Sequence, residues 1–309
     1  MNDAAVLAHA TRTINAGSQS FAAAARLFRS DTRESAVMLY TWCRYCDDVV
    51  DGQELGHGQL AGTRTLGSLR MAQLEHRTRA ACEGQADDAV FRGLAEVVRR
   101  HGIPQQYLLE HLAGFRMDVE EKRFVEIGDT LLYCWRVAGV IGVMMSMVMG
   151  ERDPRTLDRA CDLGMAFQLT NIARDIVEDA AIGRVYIPQA WLEEEGLEHI
   201  DDILDPAHRA VLARLARRLV DLADPYYQSA VAGIGKLPLR SAWSIATARG
   251  VYRAIGLKVV DRGAHAWDSR TSTSKGEKLW QVARGAAVAV GARYASVPAR
   301  PAELFTRPM

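Results

Sequence analysis

The sequence predicts an all-α protein, a bundle of packed helices. Apolar residues recur at spacings of three and four along most of its 309 residues, the period of amphipathic helices. Strand-like alternation is scarce. Connectors are short and rich in Gly or Pro, as in helix bundles.

The first helix is expected over residues 2–15. The next opens at Asp31-Thr32-Arg33-Glu34, where a capping residue stands three before a Glu. It is expected to run to Asp51, before Gly52, Gly56 and Gly58 break it. Further helices are expected near 64–82, 88–101, 105–113, 130–149, 155–179, 206–231, 240–261 and 277–291. Between them, residues 182–190 (Ile-Gly-Arg-Val-Tyr-Ile-Pro-Gln-Ala) break helix, and Gly183–Pro188 is a candidate lid. Residues 262–276 read as mobile. No composition shift marks a boundary, so residues 1–295 are expected to form a single domain. Residues 296–309, with three prolines, are expected to be a flexible tail outside the core.

Charge balances, with 38 basic and 38 acidic residues. No global field points to nucleic acid as a partner. Five cysteines without a leader-like apolar run in residues 1–16 fit a reducing, cytoplasmic setting. Cys43 and Cys46 form a C-x-x-C without a second pair and read as core thiols. The apolar run Val137–Gly150 is 14 residues, short of the roughly 20 that span a bilayer. It reads as a buried helix, whose Gly139 and Gly142 serve either packing or the wall of an apolar tunnel. Eight histidines form no metalloprotease motif, and His101 and His111 are expected at the surface. Neither a P-loop nor a dinucleotide fingerprint is present.

Two acidic helices carry the chemistry. On the first, Tyr40, Arg44, Asp47, Asp48 and Asp51 share one face, with Trp42, Cys46, Val49 and Val50 opposite. On the second, Gln168, Asn171, Asp175 and Asp179 follow at three, four and four, a single stripe of oxygen donors. Each helix alone also fits an ordinary solvated polar face, on which Arg174 and Glu178 would be exposed. Carboxylates one turn apart, found twice, fit hard divalent cations and a diphosphate better, since Mg²⁺ takes one or two carboxylates plus water and phosphate oxygens.

These motifs resemble the squalene/phytoene synthase family, most closely its bacterial phytoene synthase branch. The resemblance covers Gly17 to about residue 260. It rests on Gly17-Ser18-Gln19-Ser20-Phe21 and Tyr40-x-x-x-Arg44-x-x-Asp47-Asp48-x-x-Asp51. Met117-Asp118-Val119-Glu120 and Tyr133-Cys134-x-x-Val137-Ala138-Gly139-x-x-Gly142 extend it. Gly164-x-x-Phe167-Gln168-Leu169-x-Asn171-Ile172-x-Arg174-Asp175-x-x-x-Asp179 and Gly183-Arg184-Val185-Tyr186-Ile187-Pro188 complete it.

The resemblance implies an isoprenoid-synthase helical bundle around a deep central cavity. It implies head-to-head condensation of two geranylgeranyl diphosphates through a cyclopropylcarbinyl diphosphate, without NADPH. Asp47, Asp51, Asn171, Asp175 and Asp179 would hold Mg²⁺ or Mn²⁺, with Asp48 acting through water. Arg44, Arg174, Ser18, Ser20 and Gln168 would bind substrate. Phe21, Tyr40, Tyr133 and Tyr252 would face carbocations. An oily substrate and product imply contact with the inner face of the membrane and with downstream carotenoid enzymes. The alternatives are a squalene or dehydrosqualene synthase using farnesyl diphosphate, a head-to-tail elongase, and a non-catalytic scaffold. Asn171-x-x-x-Asp175-x-x-x-Asp179 differs from an elongase's second D-D-x-x-D.

Overall fold

Helix-forming segments with clear stop signals set the architecture of the computed structural model, which describes residue 10, residues 24–51 (without the Asp51 side chain) and residues 67–308. Among the described residues every regular element is helical. The helices are α1 (Ser30–Asp51), α2 (Gly67–Cys82), α3 (Ala89–His101), α4 (Gln105–Val119), α5 (Ile127–Cys134), α6 (Val140–Val148), α7 (Pro154–Ala181), α8 (Gln189–Glu194), α9 (Ile200–Leu204), α10 (Arg209–Ile234), α11 (Leu239–Arg262) and α12 (Lys275–Tyr294). The helix expected over 2–15 falls outside this description, apart from residue 10.

Local chemistry explains the helix ends. Asp88 caps α3 by accepting from the Phe91 N–H at 3.0 Å, and Gly102 ends it in the left-handed conformation. Asp153 caps α7, with Pro154 in the first turn, where no N–H is missed. Ser274 and Glu277 form a reciprocal capping box on α12. The first helix departs from expectation at its start. Arg33 already donates to the Arg29 carbonyl, so Asp31 lies inside the first turn rather than capping it.

α4 runs six residues past its expected end because Gly114 packs rather than breaks. A Cβ there would lie 2.7 Å from Val137 Cγ1. Facing it, α5 and α6 are joined by a π-helical turn, Trp135–Gly139. Together they form the apolar stretch Ile127–Val148, 22 residues long. By length and composition this stretch could cross a membrane, which the shorter run seen in the sequence could not. Most of it is buried inside the protein, as expected of a core helix.

α7 is the central helix, packed by α10, α6, α11 and the π turn. Gly142 and Gly164 let α6 and α7 touch backbone to backbone. A Cβ on Gly142 would sit 2.3 Å from the Ala160 carbonyl oxygen of α7, and one on Gly164 would sit 2.3 Å from the Ala138 carbonyl oxygen in the π turn before α6. α1 packs on α3, α2 on α4, and α11 on α12.

The C-terminal residues are not a free tail. Arg300 donates to both oxygens of Asp162, at 2.9 and 2.6 Å, and Arg307 reaches Asp158 and Tyr107. Leu304 is 4% exposed. The prolines prevent helix but do not prevent docking through arginines. The 262–276 segment is likewise pinned. Arg262 holds Ser269 and Thr271, Lys258 holds Ser272, and Thr271 and Thr273 are buried.

Candidate active site

α1, α6, α7, α10 and α11 enclose an elongated apolar cavity of about 330 Å³. One end is polar. Tyr40 and Cys43 of α1 and Gln168 and Asn171 of α7 line it, with Tyr252 of α11. The sequence places these residues on distant helices and the fold brings them to one space. Tyr252 stacks on Phe167, ring centroids 4.2 Å apart.

Just beyond the Tyr40 wall, Arg44 grips two carboxylates. It meets Asp47 at 3.0 Å and Asp48 at 3.0 and 2.7 Å. Burial pushes the Tyr40 phenol up to about 12, so it stays neutral. Cys46 is fully buried, as expected, but Cys43 is only partly so, because the cavity reaches it.

On α7, Arg174 pairs with the adjacent Asp175, and Arg270 reaches the same carboxylate at 3.1 Å. Arg174 is therefore not solvated, contrary to expectation. Glu178 is only partly exposed, with its Oε2 buried without a hydrogen-bond partner. The Oδ1 of Asn171 is buried and unpartnered too, while its amide donates weakly to Gln168 at 3.4 Å. Burial first, and the Asp175 charge second, push Asp179 up to about 8.

Tyr133 is elsewhere than expected. It stacks on Tyr186, centroids 4.5 Å apart, and the two phenols meet the two oxygens of Asp118 at 3.1 and 2.9 Å. Tyr133 does not line the apolar cavity, because this network and Phe124, edge-on to both rings, hold it aside. The 183–188 segment is tied down by the same network. Thr130 donates to the Tyr186 carbonyl, and Gln189 and Ala190 donate to Phe124 and Val125. Arg184 projects its charge on Asp179 and Tyr186. His111 is buried rather than at the surface, between Trp42 and Phe115, with Nδ1 bonded to the Arg136 carbonyl. His101 is half-buried on Ser35.

Ser18, Ser20, Phe21 and the Asp51 side chain lie outside the described residues. Phe167, Asp118, Tyr186, Arg184 and Arg270 are additional members of the site. All but Arg270 sit in motifs already visible in the sequence. Arg270 falls in an aperiodic Ser/Thr run that carries no signal.

An apolar cavity ending in two carboxylate–arginine clusters suits a substrate with an oily tail and an anionic head. That is the layout of an all-α prenyltransferase. The chain belongs to the squalene/phytoene synthase family, whose profile matches residues 14–277. It is 53% identical over 293 residues to the 15-cis-phytoene synthase of Enterobacter agglomerans, covering 95% of this chain and 99% of that one. It is 51% identical over 310 residues to that of Pantoea ananas, covering 100% of both. Among solved structures, a dehydrosqualene synthase in complex with ligand superposes with a TM-score of 0.82 at 24% identity, over 93% of this chain and 97% of that one. At that identity the likeness shows the fold, an isoprenoid-synthase helical bundle.

Proposed function

We propose that this enzyme is a phytoene synthase, condensing two geranylgeranyl diphosphates head to head through prephytoene diphosphate, without NADPH. The observation that carries the reading is the cavity itself, apolar along its length and capped at one end by acid–arginine clusters from α1 and α7. Two diphosphates and two protons leave, so carbon and charge balance without a reductant.

The donor set fits a divalent cation. Asn171 Oδ1 and Glu178 Oε2 are buried oxygens without partners, and burial, reinforced by the Asp175 charge, keeps Asp179 protonated despite Arg184. Among the described residues no three His, Cys, Asp or Glu side chains converge to hold a metal by themselves. Magnesium commonly relies on one or two carboxylates and on substrate phosphates, so the set suits ions shared with a diphosphate. Asp47, Asp48, Asp51, Asn171, Asp175 and Asp179 would hold Mg²⁺ or Mn²⁺, which supplies Lewis-acid assistance to the leaving diphosphate.

Arg44 and Arg174 each already spend donors on one carboxylate cluster and would turn remaining N–H groups to diphosphate oxygens. Ser18, Ser20 and Gln168 add hydrogen bonds. Tyr40, Tyr252 and Phe167 offer ring faces to developing cations, with Phe21 expected beside them. The apolar wall keeps out water that would quench a cation to an alcohol. Tyr133 acts through Asp118 and Tyr186, positioning the Arg184 side of the site.

The setting proposed is cytoplasmic, with contact at the inner face of a membrane. α12 supports this. Leu279, Trp280, Val290 and Tyr294 are exposed on it, Lys275 and Arg284 flank them, and its one acid, Glu277, is paired with Lys258. The same helix lends Lys278 and Val282 to the cavity wall. A downstream carotenoid enzyme would receive the product at that face.

The test is to incubate purified protein with Mg²⁺ and geranylgeranyl diphosphate alone and identify the extracted hydrocarbon. A C40 product without NADPH is expected. A product only from farnesyl diphosphate would favour the squalene-type alternative. Wild-type turnover by the D51N/D179N double mutant would overturn the metal roles.

A further inference from the structure

A buried charge cluster stands where an oily cavity should end. α7 lines the cavity at Asn171, Gln168, Gly164, Ala160, Arg159 and Thr156, one residue or pair per turn. From Asn171 to Arg159 is twelve residues, about 18 Å of helix, and Thr156 lies about 22 Å along it. An extended isoprene unit is about as long as one helical turn of ~5.4 Å. A tail whose diphosphate sits beside Asn171 therefore reaches the Arg159 level with its fourth unit.

Arg159 is buried, and its guanidinium is held on both sides. Nη1 donates to Ser229 Oγ at 2.9 Å and Nη2 to the Pro298 carbonyl at 2.6 Å. Ser229 donates to Asp162, which is fully buried and also takes both arms of Arg300. Arg300 in turn holds the Phe305 carbonyl, and the Phe305 N–H donates to the Tyr226 hydroxyl. On α10, Gly233 makes room, since a Cβ there would lie 2.6 Å from the Arg159 Cβ. The C-terminal segment thus straps a positive charge across the tail end. Nothing in ionising a diphosphate requires a charge so far from the polar end.

We propose that Arg159, held by the 298–307 strap, is the floor of the cavity and limits the prenyl chain to four isoprene units. The inference rests on the proposed function. A longer tail would have to displace a guanidinium whose partners are all protein groups, leaving buried donors and acceptors unpaired. Replacing the side chain with a small one would leave apolar room for another unit.

The full chain tests this with two readouts. Binding of unreactive n-alkyl bisphosphonates of C15, C20 and C25 length is measured by calorimetry, and kcat/KM is measured for the C20 and C25 prenyl diphosphates. The wild type is expected to gain affinity up to C20 and lose it at C25. In R159A the C25-to-C20 ratio should rise at least about tenfold in both readouts, the low end of what a single methylene contributes in a hydrophobic pocket. R159K, which keeps stem and charge, should retain the wild-type ratio. Should R159A fail to fold, R300L and a chain ending at residue 297 release the strap without touching the cavity wall. They should shift the ratio in the same direction. An unchanged ratio in a cooperatively folded R159A or R300L would overturn the inference. If the wild type makes no C40 hydrocarbon, the proposed function falls, while the bisphosphonate length cut-off still decides whether Arg159 is the floor.

Discussion

On α1, Asp47 keeps 36% of its side chain exposed and shares one arginine with Asp48. On α7, Asp175 keeps 14%, takes two arginines, and leaves Asp179 pushed up to about 8 one turn further on. The two helices carry the same four-residue spacing, yet burial makes them electrostatically different. Solvent and Arg44 together satisfy Asp47, while Asp48, as little exposed as Asp175, relies on Arg44. The α7 stripe holds an unpartnered oxygen on Asn171, with another on the neighbouring Glu178, and a carboxyl that burial keeps from ionising. Spacing therefore defines which atoms converge, and burial defines how strongly they demand a ligand.

The largest expected effect tests whether that difference reaches catalysis. Asp175→Asn should lower kcat by about three orders of magnitude, and Asp47→Asn by about two, since water can replace part of an exposed ligand. Equal losses in steady-state kinetics would break the comparison. Next comes the pH dependence of metal binding. Below about pH 8 the Asp179 carboxyl keeps its proton in the free protein. A cation must displace that proton, so affinity should rise with pH, at most tenfold per unit, and level off near pH 8. The same shift makes this carboxyl's contribution to apo stability fall as pH climbs from the ordinary carboxylate range towards 8. Titrations of Mg²⁺ or Mn²⁺ in two buffers of different ionisation heat would detect proton release, which Asp179→Asn should abolish. A smaller effect is expected of Arg270→Gln. It removes an exposed second arginine from Asp175 and should raise KM several-fold with kcat little changed.

Both acidic stripes are legible in the amino-acid sequence, because oxygens at i and i+4 must share a helix face whatever the helix packs against. The fold class is legible too, from the helical period. Three features are not legible, each for a physical reason. Arg270 sits in a segment ordered by side-chain-to-carbonyl bonds, which leave no period in sequence. The 296–308 strap reads as tail because its prolines exclude helix, while its docking depends on Asp162, more than 130 residues away. Tyr133 reads as a cavity residue because the family resemblance implies that it faces carbocations. The π turn right after it and its pairing with Asp118 and Tyr186 come from tertiary contacts that one sequence does not display.

His111 offers the last test and the smallest expected effect on turnover. Burial that raises a carboxyl lowers an imidazole, because both shifts disfavour the charged form. In its pocket of Trp42 and Phe115, His111 is pushed down to about 4, despite the partial help of the Arg136 carbonyl. In the unfolded chain it takes up a proton near pH 6.5, while the folded protein resists until about pH 4. Stability from this group is therefore whole above pH 6.5 and declines as pH falls towards 4, by up to about 3 kcal/mol. Chemical denaturation across that range should show the slope, and His111→Gln should flatten it while leaving kcat near wild type. A slope unchanged in His111→Gln would place the acid sensitivity elsewhere. It would also count against burial as the dominant influence on Asp179, and with it against the contrast between the two acidic helices.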